Sequence, residues 1–267
     1  MQTRLGTIRR RYADTPLGQI HVAECGSGRP VLFLHQTPRS WTEYIDVLPH
    51  AGRDVRAIAM DTLGFGQSAR VDGPFSIELF ADGVLALMDA LDLESAALVG
   101  HHTGGVVAVE VAARRPERVD ALLLSGTPLV TPERRERVRS RAPIDHIEPS
   151  ADGAHLTALW HRRRAFYPPG REDALGRFVI DALAVLDRVE EGHVAVNDYR
   201  MEDRLPHIEA PVHLVCGADD AYSMPDQAPM AELLGCTVRA VEGAGVALPE
   251  QRPAEFAREV VSFVTSR

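Results

Sequence analysis

The chain has 267 residues, 45% hydrophobic and 25% charged, enough to bury one large core, and α/β architectures of this length commonly fold as a single domain. A net charge of -9 argues against nucleic acid or an acidic membrane as partner, since either needs a clustered positive surface, and leaves a small-molecule substrate as the expected partner. Lysine is absent altogether, which excludes Schiff-base chemistry by a lysine amine.

In chain order, MQTRLGTIRRRYADTP carries basic residues without the apolar stretch of a signal peptide, and no later apolar run approaches the ~18 residues that span a bilayer. The reading is cytoplasmic, with high arginine and alanine usage suggesting a GC-rich bacterial genome and with a homodimer left open. Gly6 to Cys25 reads as two strands around the Pro16-Leu17-Gly18 turn, because Gln19 to Ala23 alternates with period two. Pro30 to His35, Val55 to Met60, Ala96 to Val99, Val119 to Leu124 and Val212 to Cys216 are short apolar runs, as strands buried on both faces should be. Helical stretches fall between or after them at Ser40 to Leu48, Ser76 to Leu91, Gly105 to Arg115 and Pro253 to Ser266. That alternation predicts a mostly parallel sheet with helices on both faces. Between Thr127 and Leu205 it stops, and an arginine-rich helical segment broken by Pro132, Pro143, Pro149 and Pro168-Pro169 reads as an inserted cap. Its runs Arg134-Arg135-Glu136-Arg137 and Arg162-Arg163-Arg164 read as solvated helix faces. Cys25, Cys216 and Cys236 lack metal-ligand spacing and read as free thiols.

Gly100-His101-His102-Thr103-Gly104-Gly105 is the most informative segment. Glycines flank a central residue, as a sharp strand-to-helix turn with strained backbone requires. With His35-Gln36-Thr37-Pro38, Asp61-Thr62-Leu63-Gly64-Phe65-Gly66-Gln67-Ser68 and Gly217-Ala218-Asp219-Asp220 it forms an ordered set of four landmarks, in which the chain resembles the α/β-hydrolase superfamily. The resemblance implies an α/β-hydrolase fold: a mostly parallel eight-stranded sheet, core segments at residues 1–128 and 206–267, and a helical cap at residues 129–205. It further implies an oxyanion loop after His35, a nucleophile elbow at residue 102 and a catalytic acid at Asp220.

The departures are equally specific. His102 holds the place of the nucleophilic serine, Val246 holds the place of the general-base histidine, and Gln36 replaces the commoner glycine after His35. Acyl-serine chemistry needs a hydroxyl beside an imidazole, and the family positions offer neither. Histidine tolerates positive φ better than most non-glycine residues, so His102 can occupy the elbow and reach into the space that a ring at position 246 would fill. His102 thereby becomes the candidate base, oriented by Asp220, with the backbone N–H groups of Thr37 and Thr103 as the implied oxyanion hole. His101 and His35 read as packing and loop-anchoring residues, Asp219 as a turn cap, and a zinc site from His35, His101 and His102 is disfavoured because adjacent elbow residues diverge. His146, His155, Trp160, His161 and Tyr167 either line a pocket or pack on the sheet. No cofactor motif and no metal site is expected, since Asp61 to Ser68 opens no phosphate loop.

Three functions remain in play: hydrolysis of a small ester, lactone or related acyl compound with His102 as general base or nucleophile; a lyase, isomerase or cyclase of the same fold; and a non-catalytic small-molecule-binding protein.

Overall fold

A computed structural model describes residues 6–266. Among the described residues, eight strands form one sheet in the order β1-β2-β4-β3-β5-β6-β7-β8, with β1 at Arg9–Thr15, β2 at Gly18–Cys25, β3 at Pro30–Leu34, β4 at Arg56–Met60, β5 at Ala96–His101, β6 at Val119–Ser125, β7 at Val212–Gly217 and β8 at Val238–Val241. The first two pair antiparallel around the expected turn, and β2 pairs antiparallel with β4; all other pairs are parallel. This is the α/β-hydrolase architecture that the four landmarks implied.

Burial follows strand position. Every residue of β5 is buried, whereas β1, at the sheet edge, exposes Arg9, Arg10 and Arg11, charges that discourage further strand pairing there. One face of the sheet packs on α2 (Ile77–Ala90) and α3 (Thr103–Arg114), through Leu98, Leu122 and Leu124 against Val84, Val106 and Val109. The other face packs on α1 (Leu48–Ala51) and, past the helix α8 (Met224–Leu234) and the short α9 (Leu248–Gln251), on α10 (Pro253–Thr265). The segment expected as one helix from Ser40 to Leu48 is instead a single 3-10 turn, Trp41–Tyr44, followed by α1. Ser40 caps that turn while Asp61 accepts the Trp41 N–H at 2.7 Å, so the backbone is held by a neighbouring loop rather than by helix continuation.

Between β6 and β7 the chain makes a helical excursion containing α4 (Pro132–Val138), α5 (Ala154–Arg163), α6 (Glu172–Leu183) and α7 (Glu191–Asp198). It carries its own small core, with Leu159, Tyr167, Leu175 and Phe178 buried together. What ties it to the sheet is a buried charge network. Arg39, wholly buried after β3, donates to both oxygens of Glu250 at 2.6 and 3.1 Å and to Asp181 of α6 at 3.0 Å. Asp181 also accepts from Ser40 at 2.8 Å and Thr42 at 2.7 Å, and Tyr167 donates to Glu250 at 2.9 Å. One guanidinium thus pins the loop after β3, the excursion and the chain before α10 to each other, with its donors answered by charge-assisted hydrogen bonds.

Glu43 stands beside this network, 3.9 Å from Arg39, accepting from the Gln36 backbone N–H at 2.9 Å and the Gln36 amide at 2.6 Å. Burial pushes its carboxyl up to about 7 even though Arg39 pulls the other way.

Two outcomes follow for stability. Removing the guanidinium in Arg39→Ala leaves Glu250 and Asp181 buried without their partner and should lower the unfolding free energy by about 3–5 kcal/mol, read by urea unfolding of the full chain; a loss under about 1 kcal/mol would show that the network does not hold the excursion down. For Glu43, the raised folded value means that the folded chain keeps a proton that the unfolded chain has already released. Its contribution therefore weakens as pH rises from the ordinary glutamate value toward about 7. Glu43→Gln should gain stability relative to the parent between about pH 5 and about pH 8, and a pH-independent difference would refute the assignment.

Candidate active site

The strand order reverses direction at β3, which is flanked by β4 on one side and β5 on the other, and ligands in open parallel sheets bind outside the carboxyl ends of the strands at such a point. Both the Gln36-Thr37 loop and the His102 turn leave the sheet there.

His102 links β5 to α3 at φ 46° and ψ -110°, one of two non-glycine residues with positive φ among those described. Its backbone is fully engaged: the N–H donates to Ser125 at 2.9 Å and the carbonyl accepts from Gly105 and Val106 at 3.0 and 3.2 Å. Two close approaches make the turn fit. A Cβ on Gly104 would fall into the Leu34 carbonyl, and a Cβ on Gly100 would fall into the Gly104 backbone. The strained geometry throws the imidazole forward, so that it is largely buried yet lines the cavity above the sheet.

Its Nε2 is buried 3.2 Å from Asp220 Oδ2, at ion-pair distance but off the hydrogen-bond axis, and Nδ1 lies 3.4 Å from the Ser223 hydroxyl. Gly126 forms the floor beneath the pair; a Cβ there would sit 3.1 Å from His102 Nε2 and 3.2 Å from Asp220 Oδ2. Asp220 follows β7 and is buried, whereas Asp219 is exposed. The other Asp220 oxygen accepts the Tyr222 and Ser223 N–H groups at 3.0 and 3.1 Å. Burial works to raise its carboxyl pKa, but the His102 contact and these N–H groups outweigh it and hold the group below the usual aspartate range.

The neighbouring histidines are occupied elsewhere. His101 is buried with Nε2 2.8 Å from the Val246 carbonyl and Nδ1 2.9 Å from the Ser125 hydroxyl. Burial, then the adjacent His102, push its pKa well below the usual histidine value. Nδ1 also lies 3.1 Å from the Ser125 carbonyl, so both ring nitrogens have protein partners and whichever carries the proton has a carbonyl to receive it. His101 is thus a strut between β5, β6 and the loop of Val246, and Val246 itself presents an apolar side chain to the cavity. His35 lies 2.8 Å from the Gln36 carbonyl and accepts the Thr62 N–H at 3.0 Å, fastening two loops. Among the described residues no group of three or more His, Cys, Asp or Glu could hold a metal ion.

Thr37 and Thr103 both line the cavity and touch: the Thr37 N–H donates to the Thr103 hydroxyl at 3.3 Å. The Thr103 N–H, in the first turn of α3, faces no helical carbonyl. Both amides stand in the loops beside His102, and the Thr103 hydroxyl accepts from that of Thr37.

The cavity has a volume of about 320 Å³ between the sheet and the excursion, within the range of small-molecule sites. None of His146, His155, Trp160, His161 and Tyr167 lines it. His146 pairs with Glu148, His155 contacts Ser150, His161 is exposed, Trp160 packs in the excursion's core and Tyr167 serves the Arg39 network. The charged and histidine residues that the excursion does bring to the lining are Arg134, Arg141, Arg162, Arg163 and His193. Of the arginine runs expected as solvated faces, Arg137 and Arg164 are exposed and Arg162 is exposed at the rim of the cavity, whereas half-buried Arg134 and buried Arg163 line it, because α4 and the end of α5 both border the opening. Ser223 went unnoticed in the sequence, as its only signal is its place three residues after Asp220.

In sequence the chain is 36% identical to 2-hydroxymuconate semialdehyde hydrolase from Pseudomonas sp. (strain CF600) over 108 residues, 39% of this chain and 38% of that protein. It is likewise 36% identical to a haloalkane dehalogenase from Agrobacterium fabrum (strain C58 / ATCC 33970) over 104 residues, 39% of this chain and 34% of that one. The matched stretch spans little more than a third of either relative. In three dimensions the chain superimposes on E-2-(acetamidomethylene)succinate hydrolase with a TM-score of 0.78 at 20% identity, covering 97% of this chain and 99% of the other, a likeness of fold. The model of the alpha/beta hydrolase family matches residues 31–259, from the start of β3 into α10, so the elbow of His102 and the loop of Asp220 both lie inside the match and the chain belongs to that family.

Proposed function

We propose that the protein hydrolyses a small ester, lactone or related acyl compound with His102 as general base and Asp220 as its orienting carboxylate. The observation that carries this reading is the disposition of the two ring nitrogens of a residue that lines the cavity, Nε2 3.2 Å from Asp220 and Nδ1 3.4 Å from the Ser223 hydroxyl. With the ring proton on Nε2 beside the carboxylate, the Nδ1 lone pair is left to accept, from the Ser223 hydroxyl at rest and from water in the reaction.

The hydroxide oxygen left by that transfer adds to the acyl carbon, and the carbonyl oxygen becomes an oxyanion held by the Thr37 and Thr103 N–H groups once the Thr103 hydroxyl has been displaced. Collapse breaks the acyl–oxygen bond, the proton on Nδ1 passes to the departing alkoxide, and acid and alcohol leave with one water consumed. Val246 supports this division of labour, since a second imidazole there would compete for Asp220 and a smaller side chain would admit bulk water. In this reading residues 129–205 act as a cap over a core of residues 1–128 and 206–267.

A second reading is favoured by the 3.4 Å approach of the Ser223 hydroxyl to Nδ1: Ser223, His102 and Asp220 form a chain of the serine-hydrolase kind with the nucleophile relocated from the elbow. Against it, Ser223 is 1% exposed.

His102→Ala should lower kcat/KM for ester or lactone hydrolysis by about 10³-fold with the fold intact by circular dichroism. Isotope from labelled water should enter the acid product. Unchanged activity would remove His102 from the chemistry, and a product free of solvent oxygen would point instead to a lyase, isomerase or cyclase. Ser223→Ala should keep most of the activity, whereas a loss matching that of His102→Ala would favour the relocated serine.

A further inference from the structure

The chain carries a net charge of -9, yet the cavity above His102 is cationic. Arg134, Arg141, Arg162 and Arg163 line it, and no aspartate or glutamate does so among the described residues. Such an inversion of sign raises the local concentration of anions against the repulsion of the surface.

Carboxylates behind the wall answer only part of this charge. Arg163 is held by both oxygens of buried Asp145, which also meets His193 at 2.9 Å, so that group is balanced. Glu190 faces the loop from the rear, accepting the backbone N–H groups of Ile144 and Asp145 at 2.8 and 2.9 Å. Arg134 donates through Nη1 to Asp226 at 2.9 Å, but its Nε is buried with no hydrogen-bond partner. Arg162 spends its Nη1 on the carbonyls of Ile144 and His146, and Arg141 makes no ion pair, lying 5.7 Å from the Tyr222 ring. Among the described residues, two guanidinium groups therefore line the opening without a carboxylate of their own, and a third keeps an unanswered donor. A buried unpaired donor is costly, and a ligand oxygen relieves that cost. The desolvation of Arg134, with Arg137 and Arg141 adding to it against Asp226, pushes that guanidinium below its usual value, as befits a cation short of anionic contact.

We propose that the substrate is a small carboxylate-bearing acyl compound, its carboxylate taken by Arg134 and Arg141 on the excursion side while its scissile carbonyl lies over His102 on the sheet side. Carboxylate rather than phosphate is favoured by the walls between these ends, where Pro143, Ile144, Phe166, Val196 and Val246 suit an apolar body and leave room for one charged terminus. The planar guanidinium matches a carboxylate in a two-point hydrogen bond that an uncharged amide cannot copy.

This substrate class rests on the cavity serving the His102 reaction, so its test uses binding without turnover. Titration calorimetry on the full chain compares glutarate with glutaramide and hexanoate with hexanamide, with inorganic phosphate as a further probe. Each carboxylate should bind at least about tenfold more tightly than its amide, and the preference should weaken with added salt. Arg134→Gln with Arg141→Gln should bring the ratio to near parity; Arg141→Gln alone, at an exposed position, should reduce it if the pair of changes prevents folding. The preference should survive in His102→Ala, which separates it from the catalytic reading. Amides binding as tightly as carboxylates, phosphate binding where carboxylates do not, no carboxylate binding at all, or a preference undiminished in the arginine variants would each overturn the proposal.

Discussion

The geometry of the site depends on one strained residue. A backbone at φ 46° and ψ -110° is costly for a side chain, and it persists at His102 because both its N–H and its carbonyl are bonded into the surrounding sheet and helix. Gly100 and Gly104 let the strand and helix close on that turn, and Gly126 clears the space beneath the ring. The same backbone that elsewhere presents a hydroxyl here presents an imidazole. Because the ring is longer, it reaches the Asp220 carboxylate directly, without an intervening residue.

Around this turn, polar groups are divided between support and chemistry. His35, His101 and the Arg39 network are closed systems whose nitrogens have protein partners, so they fix loops and offer nothing to a ligand. By contrast, the Thr37 N–H meets only the Thr103 hydroxyl, at 3.3 Å, and among the described residues the Thr37 hydroxyl and Arg134 Nε are buried without a partner. Unfinished hydrogen bonding at a cavity wall is what a ligand completes, and buried groups of this kind account for most discrimination between related substrates.

Much of the fold was legible in the sequence. Runs such as Pro30 to His35 and Ala96 to Val99 are apolar without alternation because both faces are covered, and the glycine frame around His102 marks a turn that no ordinary helix start would need. The meeting of His102 with Asp220 was also expected, from the family positions the two residues hold; they follow β5 and β7, on either side of β6. What stayed hidden was set by tertiary contact. Ser40 to Leu48 has helical composition, yet Asp61 and Asp181 capture its first polar groups and turn it aside. Arg39 meets Asp181 and Glu250 across 142 and 211 positions, a pairing no local pattern encodes. Arg134 and Arg163 depart from the solvated role expected of their runs because a charged run on a short helix does not reveal whether water or a cavity borders it.

The central claim is that the His102 ring holds its proton on Nε2 against Asp220 and keeps Nδ1 as the unprotonated base. Nitrogen-15 chemical shifts of that ring at neutral pH, compared between the parent and Asp220→Asn, report the tautomer directly. The account predicts a protonated Nε2 and an unprotonated Nδ1 in the parent, with that preference lost when the carboxylate is removed. A proton resident on Nδ1 in the parent, or a tautomer indifferent to Asp220, would contradict it.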